Sequence, residues 1–348
     1  DSSHSSSLDF LSRDRSRRLL TVIHFAGSNA FVYKNVNPYV AIETLNKIKG
    51  IEPDNYDAEK ELGDIYFKLN DNKQAIVHYG EYYKRAPKDD NFSILSCENY
   101  MMALFSQAEF SQIKNIVAEI EPIAPGGRML KRMKFISNFE AARNSINYVE
   151  DMAKVEELMG YITNKEFDDT LYLYIDYAYA AEYMKELKNN EKAIEYYTMA
   201  FDRDNKKIGA LTELAKLYRQ NKQYDEAIAA TQKYVDLCGG KAKVADYLRL
   251  GQTYVFAAQQ DGLTPEKKDE YVKNGDAVLV KVLEMDSTAY QAMLYRARIN
   301  IKNGNAPEEL PKQYYEEAIK MMEGRDNITS AQIEAYRYLA FYSLQTDD

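Results

Sequence analysis

Few side chains in this 348-residue sequence stand at spacings that support chemistry. A zinc site built on a helix needs two imidazoles or thiolates about one turn apart. His4, His24 and His78 form no such pair, so no metal site is expected. Paired carboxylates perform acid–base work when buried at a defined separation. Asp89-Asp90, Glu156-Glu157 and Asp168-Asp169 read instead as helix starts or solvated faces, where acids favour the helix dipole. Gly126-Gly127 follows no strand-like run and reads as a turn rather than a phosphate cradle. Cys97 and Cys238 read as core or near-core thiols, not nucleophiles. Neither a catalytic residue nor a cofactor is expected.

The elements that would position any such group recur along the chain. Ala41 returns as Ala75, Pro53 as Pro87, Ala181 as Ala215 and Ala193 as Ala227, each step being 34 residues. A fixed period of this length means stacked helical units rather than one globular core. In the best-defined unit, residues 56–89, Leu62, Gly63 and Tyr66 share one helix face, and Ala75, Tyr79 and Tyr82 share another. Leu69 to Asn72 supplies the turn between them, and Pro87 stops the second helix. Gly63 and Ala75 are small where the two helices approach, while Tyr66 and Tyr79 fill the remaining space. In such a stack Cys97 and Cys238 lie about four repeats apart, too far for a disulfide.

These residues resemble the tetratricopeptide repeat, whose signature runs W-x2-L-G-x2-Y, then A-x3-F, then P. Leu62, Gly63, Tyr66, Ala75, Tyr79 and Pro87 match it, with Glu59 in place of the opening Trp. Leu211, Leu214, Ala215, Tyr218, Tyr224 and Ala227 carry it again, as do Ala181, Ala193, Tyr197 and Ala200. The resemblance implies an all-α, right-handed superhelical solenoid of antiparallel helix pairs, about eight hairpins long. Upstream, Ala41, Leu45, Ile48 and Pro53 mark a second helix opened by Asn37-Pro38, after a weaker first helix near Leu19 to Tyr33.

Elsewhere the pattern departs from regularity. Cys97 and Tyr100 keep the register of Gly63 and Tyr66, but Pro122 and Pro125 disturb the second half of that repeat. Helices near Met129 to Ser145 and Val149 to Thr163 fit by length more than by motif. Leu250, Gly251 and Tyr254 restart the repeat, yet its second helix, around Leu279 to Met285, arrives about twelve residues late. Extended helices joined by a protruding loop are expected there. Residues 1–16 read as a flexible tail or cloning remnant, and residues 17–348 as a single solenoid. That solenoid is degenerate over 91–168 and interrupted by an insertion over 257–274. Its last repeat, beginning near Glu334, reads as incomplete, so the chain is expected to be part of a longer protein.

A net charge of -9 argues against a dedicated nucleic-acid binder, whose affinity comes from neutralising phosphates. No apolar run reaches the roughly 18 residues of a membrane span. Arg13, Arg15, Arg17 and Arg18 precede an apolar stretch, but it is interrupted too early for a signal peptide. The Tyr-, Lys- and Asn-rich style resembles envelope-associated repeat proteins of Bacteroidetes-type bacteria, which implies a periplasmic or envelope location.

The resemblance also implies that the first helix of each hairpin lines a concave surface holding a peptide or partner protein. With Leu211, Leu214 and Tyr218 facing the core, Thr212, Lys216 and Arg219 point outward. The same phase exposes Arg249 and Gln252 in the next unit, then Tyr295, Arg298 and Lys302. Upstream the face offers Glu61, Asp64, Glu98 and Glu182. An acidic segment or C-terminal carboxylate is thus expected on the basic half. Chaperone tails are not, because Asp64 and Glu98 stand where the chaperone-binding members of the family place asparagine, although Lys60 fits. The 30 tyrosines read chiefly as packing residues, with Tyr295 among those outside that stripe. The expected function is a non-catalytic scaffold or adaptor. The alternatives are a regulatory or targeting domain of a larger enzyme or secretion component, or a glycan-binding accessory protein.

Overall fold

The structure is a computed structural model that describes residues 32–163, 171–302, 306–326 and 329–346. The 1–16 tail, most of the helix expected near Leu19, His4, His24 and the Asp168-Asp169 pair lie outside the described residues. Regular structure among those residues is helical, and the chain divides into two compact units, residues 1–167 and 168–348.

The first unit contains α1 (Pro38–Ile51), α2 (Tyr56–Lys68), α3 (Asn72–Arg85), α4 (Ile94–Ser106), α5 (Phe110–Ile120), α6 (Arg128–Arg143), α7 (Tyr148–Leu158) and the single turn α8 (Gly160–Thr163). Several helix starts are specified locally. Asn37, Asn55, Asp71 and Ser93 accept hydrogen bonds from the backbone N–H of Val40, Ala58, Gln74 and Ser96. Pro38 stands in the first turn of α1, as its position after Asn37 implies.

Close approach sets the α2–α3 contact. A Cβ on Gly63 would lie 2.5 Å from Cδ1 of Tyr79, so only glycine lets the tyrosine ring lie flat on α2. Tyr79 is fully buried there, with Leu62 and Ala75 beside it. In the irregular stretch larger side chains take over. Cys97, Met101, Leu104, Ile113, Val117, Ile120 and Met133 form a continuous core through α4, α5 and α6. Burial pushes the Cys97 thiol up to about 12, with the Glu98 charge adding to it, so this cysteine is a packing group.

The second unit contains α9 (Tyr174–Glu186), α10 (Asn190–Arg203), α11 (Gly209–Gln220), α12 (Tyr224–Cys238), α13 (Val244–Ala258), α14 (Pro265–Met285), α15 (Tyr290–Ile299), α16 (Glu309–Met322) and α17 (Thr329–Thr346). Successive helices pair as α9–α10, α11–α12, α13–α14 and α15–α16, and α17 packs on α16. Asp176 and Asp246 accept the backbone N–H of Leu173 and Lys243 at 2.7 and 2.8 Å, anchoring the starts of α9 and α13. Ala181, Ala193, Ala215 and Ala227 are all buried. One packing residue differs from expectation. Leu217 is buried and Tyr218 only half buried, because the core stripe of α11 is centred one residue earlier.

The second helix of this repeat runs from Pro265 to Met285, beginning well before the Leu279 to Met285 stretch expected from the motif. At 21 residues α14 exceeds α10 and α16, each of 14, by seven residues, or about 10 Å of helix. Its first turns are not a free projection. Lys267 Nζ lies 3.0 Å from Asp225 Oδ1 on α12, and the Tyr271 hydroxyl donates to the same carboxylate at 2.8 Å. Lys268 Nζ donates to the Lys302 carbonyl at 3.1 Å.

Candidate functional site

In five repeats, the residue that follows the small contact residue of the first helix occupies a corresponding place. Asp64 follows Gly63, Glu182 follows Ala181, Lys216 follows Ala215, Gln252 follows Gly251 and Arg298 follows Ala297. Their chemistry differs, and so does their availability.

The acidic members are latched to the second helix of their own hairpin. In the first unit the Tyr79 hydroxyl donates to Asp64 at 2.7 Å, with Ser96 Oγ at 3.4 Å. In the second unit the Tyr197 hydroxyl donates to Glu182, and Lys185 Nζ bridges Glu182 at 3.0 Å and Glu213 at 2.6 Å. Burial, followed by the neighbouring carboxylate, holds both phenols well above their ordinary range, so each remains a donor. Lys60, the residue matching a clamp, has its ammonium 3.5 Å from Glu61.

Of the remaining members, all in the second unit, Gln252 and Arg298 are tied along the stack. Arg219 on α11 donates through Nη1 to Gln252 Oε1 at 3.3 Å, and Gln252 Nε2 donates to the Tyr295 hydroxyl at 2.7 Å. The amide thus joins three consecutive first helices, α11, α13 and α15. The Arg298 guanidinium lies 5.2 Å from the Tyr295 ring centroid. It binds Glu334 on α17 through both Nε and Nη2, and the Tyr315 hydroxyl donates to the same carboxylate at 3.0 Å. Hydrogen bonding to Glu334 holds the Arg298 charge firmly, raising its pKa despite burial.

Of the seven residues read from sequence, Arg219, Gln252, Tyr295 and Arg298 are therefore brought together. Lys216 is exposed and has no hydrogen-bond or ion-pair partner among the described residues. Thr231 stands 34 residues after Tyr197, in the place of the latch tyrosine, and turns its hydroxyl onto the Ala227 carbonyl instead. Arg249 lies apart, 3.8 Å from Asp246 on its own helix. Lys302 follows the end of α15 and contributes main-chain bonds, its N–H to Glu308 at 2.7 Å and its carbonyl to Lys268.

Sequence reasoning passed over Glu334 and Lys185. The signal for Glu334 was a charge opposite to Arg298 placed 36 residues on, about one repeat later. For Lys185 it was the acid three residues before it on the same helix.

Fold and face together define a helical-repeat scaffold. Residues 61–89 and 208–239 match the tetratricopeptide repeat model, so these two segments of the chain carry the repeat. Among solved structures it is similar to the C-terminal part of a TPR repeat-containing protein from Cytophaga hutchinsonii. That likeness has 19% identity and a TM-score of 0.52, over 71% of this chain and 88% of that one, and it is a likeness of fold. A chain of the APC/C hetero-tetramer Cut9–Hcn1 aligns at 13% identity and a TM-score of 0.41, over 85% of this chain and 52% of that one. None of the curated proteins matches by sequence. Repeats of this kind generally mediate protein–protein interaction, which fits a scaffold role.

Proposed function

We propose that the chain is a non-catalytic adaptor that holds an acidic segment of another protein on the first-helix face of its second unit. The observation that carries this reading is the Arg219–Gln252–Tyr295 track, with unpartnered Lys216 one turn before Arg219. Arg219 has a neutral partner, so an incoming carboxylate gains charge-assisted hydrogen bonds without displacing an existing ion pair. Gln252 and Tyr295 hold that guanidinium in place beforehand, which lowers the ordering cost of binding. Arg298, already answered by Glu334, serves to fix the Tyr295 ring rather than to recruit charge.

Affinity capture from cells of the source organism tests the reading, with wild type compared against Arg219→Glu and Tyr295→Ala at low and high salt. Partners held by wild type are expected to be lost with Arg219→Glu, reduced with Tyr295→Ala and weakened by salt. Capture of the same partners by all three proteins at every salt concentration overturns it.

A further inference from the structure

The pair α13 and α14, of 15 and 21 residues, is longer than the neighbouring pair α11 and α12, of 12 and 15 residues. Near the turns within these two pairs, an open recess of about 410 Å³ is lined by Lys222, Tyr224, Phe256, Gln259, Gln260 and Asp261. We propose that this recess is a socket for an apolar side chain that adjoins a carboxylate in a bound segment of another protein. The proposal rests on the adaptor reading above and names the chemistry of what is held.

Three observations point to that occupant. First, the recess has an apolar floor in an otherwise polar edge. Phe256 is 38% exposed although Val255, Ala257 and Ala258 beside it in sequence are buried, and Tyr224, which also lines the recess, is half buried. A phenyl ring left open in this way gains most from covering by another apolar group.

Second, the positive charge beside the floor is uncompensated. The Arg219 guanidinium lies 6.0 Å from the Phe256 ring centroid and hydrogen-bonds to a neutral amide. Lys216 and Lys222 have no carboxylate partner among the described residues. Three cations thus fall within seven residues at the end of α11 in a chain of net charge -9. Asp225, three residues beyond Lys222, is already bound by Lys267 and Tyr271, and Asp261 is the carboxylate that shares the recess with Lys222. A carboxylate next to the inserted apolar group satisfies this patch.

Third, the far wall is built and held. The tie of α14 to Asp225 fixes the inserted segment, Gln260 Nε2 is held by the Ala257 carbonyl at 3.2 Å, and exposed Gln259 offers an amide for the main chain of an extended segment. Asp261 on the same wall repels any anion set against it, so the occupant's carboxylate lies on the Arg219 and Lys222 side, which suits a polypeptide with one such group rather than a polyanionic phosphate backbone.

A display library of random linear peptides, each about twelve residues long, panned on the full chain supplies the probes. Enriched peptides are then measured by fluorescence anisotropy against wild type, Phe256→Ala, Lys222→Glu and Arg219→Glu. Enrichment of Asp or Glu adjoining Phe, Tyr or Leu is expected, with Kd raised about tenfold or more by Phe256→Ala and by Lys222→Glu. Both substituted positions are exposed, and an unchanged melting temperature separates lost binding from lost folding. Enrichment of basic peptides, enrichment of none, or a preference for a single-stranded oligonucleotide probe overturns the socket. Peptides that respond to Arg219→Glu but to neither recess variant overturn the socket and leave the adaptor reading standing. If partner capture fails to depend on Arg219 at all, the adaptor reading itself falls.

Discussion

His78 Nδ1 lies 2.6 Å from Glu59 Oε2, and Lys49 Nζ closes on the other carboxylate oxygen at 2.7 Å. Glu59 is 3% exposed and stands where the repeat signature has tryptophan. The seam between α1, α2 and α3 is therefore closed by an ion cluster instead of an aromatic ring. His78 stacks flat on Tyr66, with ring centroids 5.3 Å apart, which fixes the imidazole against its partner.

Burial alone pushes the Glu59 carboxyl up, but hydrogen bonds and charges from Lys49 and His78 outweigh it and hold the group below its ordinary value. A carboxyl lowered on folding contributes stability that is fully present above its unfolded value of 4.5. That contribution is lost as pH falls through the lowered folded value. Glu59→Gln is expected to cost roughly 3 kcal/mol at neutral pH, since it leaves Lys49 and His78 without their carboxylate. It should also flatten the acid limb of the stability profile. Urea unfolding of both proteins from pH 7 to pH 3 measures this, and parallel acid limbs would falsify the assignment.

Gly63→Ala and Gly251→Ala are expected to differ in severity. The added methyl at position 63 meets the Tyr79 ring at 2.5 Å, and that ring is fully buried and held by Asp64. At position 251 it meets the end of the Leu279 side chain, also at 2.5 Å, where a rotamer change gives relief. Losses of about 3 kcal/mol and about 1 kcal/mol respectively are expected from denaturant melts. Equal losses would show that the ring gives way as easily as the leucine.

Among the described residues, four turns within hairpins hold a non-glycine residue in the left-handed region: Asn70, Ala108, Lys188 and Lys222, with φ between 58° and 60°. Alanine has no side-chain polar group to offset that strain. Ala108→Gly is therefore expected to stabilise the first unit by about 0.5–1 kcal/mol, read as a higher melting temperature. Asn70→Gly should gain less, because asparagine tolerates this conformation. A destabilised Ala108→Gly protein would sink the argument.

The paired carboxylate at Glu334 sets how much charge Arg298 shows to a partner. Each side chain of this pair is about a third exposed, at 33% and 30%, so the coupling is screened. A double-mutant cycle of Arg298→Met with Glu334→Gln is expected to return about 1–2 kcal/mol of coupling. Glu334→Gln alone should strengthen binding of acidic peptides several-fold by releasing the guanidinium. An unchanged affinity would place Arg298 outside the binding face.

What could be read from the sequence was the hairpin itself. The small residues Gly63, Ala75, Ala193 and Ala227, the turn at residues 69–72 and the helix start at Asn37-Pro38 all come from helix period and local backbone chemistry. These relationships lie within one repeat, so a spacing of about 12 to 16 residues suffices to state them. The long α14 could be read in the same way, from a motif that returns late.

The state of the charges could not be read so. Arg298 was legible as a residue on the first-helix face, but Glu334 answers it from the next first helix, and Asp225 is taken by Lys267 and Tyr271 across the insertion. Glu59 reads as a lapse in the signature until Lys49 and His78 are seen around it. The sequence by itself determined which residues form the helix pairs and which face each presents. Only the tertiary structure decided which of the exposed charges are spent, because an ion pair depends on distances of a few ångströms between side chains that belong to different repeats.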